Sequence, residues 1–247
     1  MRGLEVFGIE GFPEVRPGDE LAALVCAAVE DDLRSGDVLV VTHKIISKAE
    51  GRLVDLRTVE PSPLAKDYAT RYGKDPRQIE VVFRESRRIV RMDRGIVISE
   101  TRHGFVCANA GVDASNVPGD DTVCLLPVDP DASASKLRAA LAGRLHVEVA
   151  VVVSDSFGRA WRHGITDVAV GVAGMDPIAD YRGQRDPHGY PMDASVLAVA
   201  DELAAAAELV MGKTAGIPLA VVRGYPYAPT LGTGKDLLMP PERDMFR

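Results

Sequence analysis

The feature that most constrains this chain is the valine-rich run at 147–153, which ends abruptly in Ser154, Asp155 and Ser156. A continuous apolar run of this length is typical of a strand that is buried on both faces of a sheet. The polar residues after it should therefore lie at the end of that sheet. There, their oxygen atoms can ligate a hard cation such as Mg²⁺ or Mn²⁺. Alternatively, Ser154 or Asp155 caps a helix that follows the strand.

A second segment, at 105–117, repeats this design. It runs from a short apolar strand into a loop that carries Asp113, Ser115 and Asn116 between small residues. Two predicted strand ends therefore each supply one carboxylate, which favours a cation site over two unrelated helix caps.

Basic residues follow predicted strands in the same way. At 38–52 a strand leads into Lys44 and Lys48, four residues apart on one face of a predicted helix, so that both ammonium groups can reach one polyphosphate. A solvated helix face is the alternative. Arg159 and Arg162 follow the valine-rich run and can hold phosphate oxygens. Carboxylates for a cation and cations for phosphates together indicate a metal–nucleotide site.

No standard nucleotide fingerprint identifies the fold, because the chain lacks both GxxxxGK[ST] and a GxGxxG that follows a strand. Five blocks nevertheless resemble the F420-0:gamma-glutamyl ligase family, also called coenzyme F420-0:L-glutamate ligases, in that family's order. The blocks are GIEGFPEVRPGDELA at 8–22, GDVLVVTHKIISKAEGR at 36–52, ETRHGFVCANAGVDASNV at 100–117, SDSFGRAWRHGITDVAVGVAG at 154–174 and ADELAAAAELVMGKTAGIPLAVVRGY at 200–225. The likeness therefore covers essentially the whole chain.

The resemblance implies a reaction. Members of the family use GTP and divalent metal to join the carboxylate of coenzyme F420-0 to the amine of L-glutamate, through an acyl phosphate, and some add further gamma-linked glutamates. It thus implies GTP as co-substrate, two Mg²⁺ or Mn²⁺ ions, coenzyme F420-0 and L-glutamate as substrates, and a homodimer whose groove completes the site.

The resemblance also assigns roles to residues. It implies that Asp113 and Asp155 hold one divalent ion and that Ser156 helps to hold a second. Lys48 and Arg159 are the predicted catalytic cations, which supply fixed positive charge to the transferring phosphoryl group. The implied nucleotide or coenzyme contacts are Phe12, Pro13, Glu14, Val15, His43, Lys48, Asn116 and Lys213.

Two positions depart from the family's pattern. His43 stands where members carry Ser or Thr, and Lys213 stands where archaeal members carry a glutamine beside the metal. The general base for the incoming amine is unassigned, with Glu14 and His43 as candidates. Two other classes of function stay open, a two-metal phosphohydrolase and a non-catalytic coenzyme- or nucleotide-binding module.

Charge and cysteine usage limit the partners and the compartment. A formal net charge of −7 over 247 residues argues against a general binder of nucleic acid or of anionic membranes, which needs a basic surface. No apolar run reaches about 18 residues, so we expect no membrane span. Cys26, Cys107 and Cys124 lack CxxC spacing and no signal peptide is recognisable, which favours a cytoplasmic protein.

The densest basic stretch is RESRRIVRMDR at 84–94, which contains Arg84, Arg87, Arg88, Arg91 and Arg94. We favour a solvated face in which these arginines pair with nearby carboxylates. The alternative is a basic wall of the groove that receives the anionic groups of the coenzyme.

We predict an α+β fold with mixed sheets and flanking helices, over 1–247, in two intimate subdomains divided by a linker near 126–135. The predicted strands lie near 4–9, 38–42, 79–83, 95–99, 104–108, 147–153, 167–172 and 218–223. The predicted helices lie near 19–33, 62–73, 133–143 and 192–211, the last capped by Asp193 or Ser195.

Overall fold

A computed structural model describes residues 3–30 and 32–245. The strands are β1 Glu5–Gly8, β2 Val38–Thr42, β3 Leu53–Asp55, β4 Ser86–Asp93, β5 Ile96–Thr101, β6 Val106–Ala108, β7 Thr122–Cys124, β8 Ala150–Arg159, β9 Arg162–Ala173, β10 Ala179–Asp180, β11 Val196–Leu197 and β12 Leu219–Arg223. The helices are α1 Leu21–Val29, α2 His43–Ala49, α3 Pro63–Tyr72, α4 Pro76–Glu85, α5 Pro130–Leu145 and α6 Val199–Met211. The predicted α+β class with mixed sheets and flanking helices is confirmed.

The main sheet has five strands in the order β1-β12-β2-β8-β9. Only β2 and β8 run parallel, and their register ends where Thr42 faces Ser154. Beyond that point β8 continues with β9 alone, as a two-stranded hairpin. The segment after Ser154 therefore leaves the five-stranded part of the sheet while staying in regular strand structure.

The valine-rich strands of the main sheet are buried on both faces, as their composition predicts. In β2, Leu39 and Val41 pack into the cluster beneath α1 and α5, whereas Val38 and Val40 pack into the cluster beneath α6. The alternation follows from the two-residue repeat of a strand. Because both faces of these strands are packed, the strand ends, where the polar residues lie, are held in place relative to the helices.

A third hydrophobic cluster is formed entirely by the segment between Leu56 and Leu125. This segment contains α3, α4 and a three-stranded antiparallel sheet, β4-β5-β6. Its last strand, β7, pairs with β3, and Asp113 forms an isolated bridge to Cys124. The bridge brings the loop after β6 back toward α2 and the main sheet.

One predicted element is of the wrong type and two differ in extent. Residues 79–83 are helical, within α4, because Asp75 caps that helix through the amide of Arg77 and Pro76 begins it. The predicted linker near 126–135 overlaps α5, which Asp129 caps through the amide of Ala132.

The third difference concerns α6, which is a helix as predicted but begins at Val199, so that neither Asp193 nor Ser195 caps it. A related correction applies to Asp155 and Ser156, which lie inside β8 rather than after it. Pairing with β9 supplies the backbone hydrogen bonds that keep this polar segment extended.

Within 3–30 and 32–245, no helix is long and apolar enough to cross a membrane.

Candidate functional site

A cavity of about 650 Å³ lies where β2 ends and the β8–β9 hairpin begins. The segment before α1, the first turns of α2, the loop after β6 and the end of α6 complete its walls. Of the residues that the sequence singles out, those that line it are Phe12, Pro13, Glu14, Val15, His43, Lys44, Lys48, Asp113, Ser115, Asn116, Ser154, Asp155, Ser156 and Lys213. The fold thus brings together segments that are up to two hundred residues apart.

Arg162, which the sequence also predicts to hold phosphate oxygens, does not line the cavity, and neither does the predicted catalytic cation Arg159. Arg159 lies at the tip of the hairpin, exposed, and its guanidinium donates to the carbonyl oxygen of His163 at 3.0 Å. The hairpin extends β8 beyond the main sheet, and this extension moves Arg159 away from the carboxylates.

Helix α2 begins directly after β2 and places its two lysines on the cavity wall, four residues apart as predicted. The ammonium of Lys44 donates to Oδ2 of Asp113 at 2.5 Å and to Oγ of Ser115 at 2.6 Å. The ammonium of Lys48, whose side chain is 8% exposed, donates to Oε1 of Glu14 at 2.5 Å. Each lysine therefore faces a carboxylate at the rim of the same cavity.

Asp113 lies in a tight turn in which its Oδ1 accepts from the amide of Ser115 at 2.8 Å and its Oδ2 accepts from the Ser115 hydroxyl at 2.7 Å. Burial favours the neutral carboxyl, but the hydrogen bonds from Lys44 and Ser115 outweigh it and lower the pKa of Asp113 below its ordinary value. Asp113 is therefore ionised at neutral pH.

Asp155 also lines the cavity, next to buried His43. Nε2 of His43 is 3.3 Å from Oδ1 of Asp155, and Nδ1 is 3.2 Å from Oγ of Ser47. Nε2 has no well-aligned hydrogen-bond partner among the described residues. The amide of Ser156 donates to the same Asp155 oxygen at 2.8 Å. Within the described residues, no lysine or arginine pairs with Asp155, which distinguishes it from Asp113.

Asp167 and Glu208 also line the cavity, and the sequence reasoning missed both. Asp167 is 3% exposed and accepts from the hydroxyls of Ser154 at 3.0 Å and Ser156 at 2.6 Å. Its backbone amide donates to Oε2 of Glu208 at 2.9 Å. A carboxylate inside the valine-rich strand β9 was the one available signal for Asp167, because such a strand has no ordinary place for a charge.

Lys213 follows α6 and connects these acidic groups. The helix ends at Gly212, whose φ of 59° favours glycine, so that the chain turns and Lys213 faces the cavity. The ammonium contacts Oγ of Ser156, and it lies 2.5 Å from Oε1 of Glu208 and 3.2 Å from Oδ1 of Asp167. Burial alone would lower the pKa of Lys213, but the hydrogen bond to Glu208 and the charge of Asp167 raise it.

The chemistry of the cavity suits a hard cation, since carboxylate and hydroxyl oxygens are the ligands that Mg²⁺ and Mn²⁺ prefer. Asp155, which pairs with His43 but with no lysine or arginine among the described residues, is the carboxylate most available to ligate one. Over 3–30 and 32–245, however, no three His, Cys, Asp or Glu side chains are clustered as a ready-made metal site. The oxygen donors are therefore of the type that such an ion prefers, but ammonium groups lie against four of the carboxylates, those of Glu14, Asp113, Asp167 and Glu208.

Comparison with known proteins identifies the family. The sequence profile of the family described as F420-0:Gamma-glutamyl ligase matches residues 10–224. Proteins named coenzyme F420:L-glutamate ligase are similar over nearly their whole length. That of Methanothermobacter thermautotrophicus is 47% identical, with 99% of each chain covered. That of Methanopyrus kandleri is 45% identical with both chains fully covered, and that of Methanocaldococcus jannaschii is 38% identical with 100% of this chain and 98% of its own covered. The resemblance that five sequence blocks indicate is confirmed, and the chain belongs to the F420-0:gamma-glutamyl ligase family, a family of enzymes.

Proposed function

We propose that this protein joins L-glutamate to coenzyme F420-0 by an amide bond, with GTP and a divalent metal ion, and that further glutamates can follow through gamma linkages. The observation that carries the proposal is the convergence of carboxylates and ammonium groups from distant segments on one cavity of about 650 Å³. A nucleotide-driven ligase needs both, because its ligands are anionic and its cation needs oxygen ligands.

The amide bond requires activation, because a carboxylate is a poor electrophile at neutral pH. We infer that the coenzyme's carboxylate oxygen attacks the gamma-phosphorus of GTP, which gives an acyl phosphate and GDP. The amine of glutamate, after losing a proton, then attacks the acyl carbon and expels phosphate. Burial raises the pKa of Cys107 to about 12 and that of Cys124 to about 11, which keeps both thiols protonated and makes each a poor nucleophile.

Asp113 and Asp155 are the residues that would hold the divalent ion, with Ser156 beside them. Bound there, Mg²⁺ or Mn²⁺ would neutralise negative charge on the phosphoryl oxygens. Lys48 is the chain's own cation for the same charge, and Glu14 holds its ammonium at the cavity wall until anionic ligand arrives. Lys44 lies on the same helix face and is held by Asp113, so its ammonium can also stabilise charge on the phosphoryl oxygens.

The acceptor dependence of phosphate release tests this proposal. A ligase releases phosphate from GTP only when both coenzyme F420-0 and L-glutamate are present. Release without either would support the phosphohydrolase alternative instead, and no release under any condition would support a non-catalytic binding module. Mass spectrometry of the product counts the glutamates added.

We infer a preference for GTP over ATP from the family likeness alone. Steady-state rates with each nucleotide decide it, and an equal or higher kcat/KM with ATP would overturn the preference.

We also propose a homodimer. An observation in its favour is the exposed apolar surface on the β8–β9 hairpin, where Trp161 is 81% and Ile165 is 56% exposed. Light scattering tests it directly. A monomer that retains full activity at the assay concentration would contradict the proposal.

A further inference from the structure

Three oxygen-bearing side chains, Ser156, Asp167 and Glu208, surround the ammonium of Lys213, and we call them the Lys213 cradle. They come from β8, β9 and α6, so that three elements of the fold converge on one point. The ammonium contacts all three, with Glu208 at 2.5 Å and Asp167 at 3.2 Å. A lysine has three N–H donors, and this arrangement uses all of them.

The cradle has the donor set of a divalent-cation site, since it offers two carboxylates and one hydroxyl at hydrogen-bonding distance from one centre. The Asp167 side chain is only 4% exposed, so its charge needs a nearby cation or several hydrogen bonds. Lys213 supplies one positive charge to the two negative ones. A divalent ion at the same point would neutralise both, but it cannot share that point with an ammonium.

We propose that Lys213 is a resident cation that takes the place of a second metal ion, so that each chain binds a single divalent ion, at Asp113 and Asp155. This inference rests on the proposed metal-dependent function and revises the expectation that Ser156 helps to hold a second ion. The hydroxyl of Ser156 donates to Asp167 and contacts Lys213, so it already belongs to the cradle. Lys213 then acts as fixed positive charge beside the reacting phosphate.

Metal counting tests the proposal without any activity measurement. Mn²⁺ bound per chain is measured by equilibrium dialysis and by the electron paramagnetic resonance signal of free Mn²⁺, with the full-length protein. Wild type should bind one ion. Lys213→Gln, which keeps most of the side chain's volume and removes its charge, should bind one more. The double variant Lys213→Gln/Glu208→Gln should return to one, because a carboxylate of the cradle is lost.

Two further measurements guard against trivial results. Lys66→Gln removes the charge of a lysine on α3 that forms an exposed pair with Glu60, and it should leave the number of bound Mn²⁺ ions unchanged. Added Mn²⁺ should raise the melting temperature of Lys213→Gln more than that of wild type, because it replaces the missing cation in the cradle.

Two bound ions in wild type, or no gain of an ion in Lys213→Gln, would overturn the proposal. If wild type bound none and Lys213→Gln bound one, the cradle would be upheld as a masked metal site, while the metal role of Asp113 and Asp155 would fall. Acceptor-dependent phosphate release, measured separately on wild type, tells whether the ligase function itself stands.

Discussion

The cavity and the arginine-rich strand β4 are both lined with opposite charges in close pairs, yet they differ in what surrounds those pairs. In the cavity, Lys48 is 8% exposed and its pair with Glu14 lies beside other charged groups from distant segments. On β4, Arg91 is 73% exposed and pairs with Asp93, two residues along the same strand. The pairs in the cavity form only when the fold brings distant segments together, whereas the pair on β4 forms between neighbours in the sequence.

The difference teaches that convergence, and not the density of charge, marks a site. The remaining arginines of that stretch also pair with nearby carboxylates, Arg84 with Glu80 and Arg87 with Glu100. An exposed pair such as that of Arg91 with Asp93 contributes only about 0–1 kcal/mol, because water screens it, whereas the carboxylates of Glu80 and Glu100 are largely buried. The favoured prediction of a solvated, salt-bridged face therefore agrees with the contacts of these arginines.

The most direct test of the cavity as a metal site is to remove the charge of Asp113 and Asp155 while keeping the shape of their side chains. We expect Asp113→Asn and Asp155→Asn each to lower kcat/KM, with a loss of transition-state stabilisation of about 4 kcal/mol or more, because each weakens the same metal site. Metal affinity, measured by calorimetric titration of Mn²⁺ with GTP present, should fall in both.

The double variant separates a shared site from two structural caps. It should be scarcely worse than either single variant, since residues that act as a unit are strongly non-additive. Asn caps turns about as well as Asp, so a purely structural role would leave activity and stability intact. Unaltered Mn²⁺ affinity in Asp155→Asn would remove the main support for the metal assignment.

A second, smaller effect is expected from Lys48→Ala. Loss of one charge-stabilising group should cost about 2–4 kcal/mol in kcat/KM with little change in melting temperature, because Glu14 is left exposed to water. Lys66→Ala on α3 is the matched control, as that lysine also pairs with a glutamate but lies outside the cavity. Equal rates for the two variants would mean that Lys48 merely covers a helix face.

Sequence reasoning predicted the parts of the fold that depend on local pattern. The uniformly apolar composition of β2 and β8 predicts buried strands. The capping residue Ser62, followed by Pro63 and a helical repeat, predicts α3. The apolar run at 79–83 was misread as a strand because such a run is short, and Asp75 and Pro76 decide for a helix.

Many of the residues that line the cavity could be predicted from the sequence, but their pairing could not. Lys44 and Asp113 are 69 residues apart, and they meet in a fold where Asp113 is bridged to Cys124 at the end of β7. Asp167 escaped notice because its role depends on the hairpin that faces it toward Ser154 and Ser156. Arg159 was placed in the site because sequence could not tell that β8 runs on to the hairpin tip.

A third prediction concerns acid stability and sharpens the difference between paired and exposed carboxylates. The lowered pKa of Asp113 means that its pairing stabilises the fold above the ordinary carboxyl pKa of about 4, and that this stabilisation is lost as pH falls through the lower, folded-state pKa. Its side chain is 43% exposed, so we expect an effect under about 1 kcal/mol.

Denaturant unfolding of wild type and Asp113→Asn between neutral and acid pH measures this effect. Wild type should be the more stable at pH 7, and the gap should close below the carboxyl range. A gap that stays constant with pH would show that the charge of Asp113 does not stabilise the fold.

The smallest expected effect is on β4 itself. Arg91→Gln removes one charge of an exposed pair, so the free energy of unfolding should change by less than about 0.5 kcal/mol and kcat/KM should stay within about twofold of wild type. The comparison predicts this null result because nothing but Asp93 converges on Arg91 among the ion pairs of the described residues. The competing interpretation, a basic wall that receives the anionic coenzyme, predicts instead a raised KM for coenzyme F420-0 that grows with ionic strength, because salt would screen the remaining arginines. Steady-state kinetics with coenzyme F420-0 varied at two salt concentrations distinguishes the two interpretations, and a selective rise in that KM would mean that exposed charge on this strand takes part in binding after all.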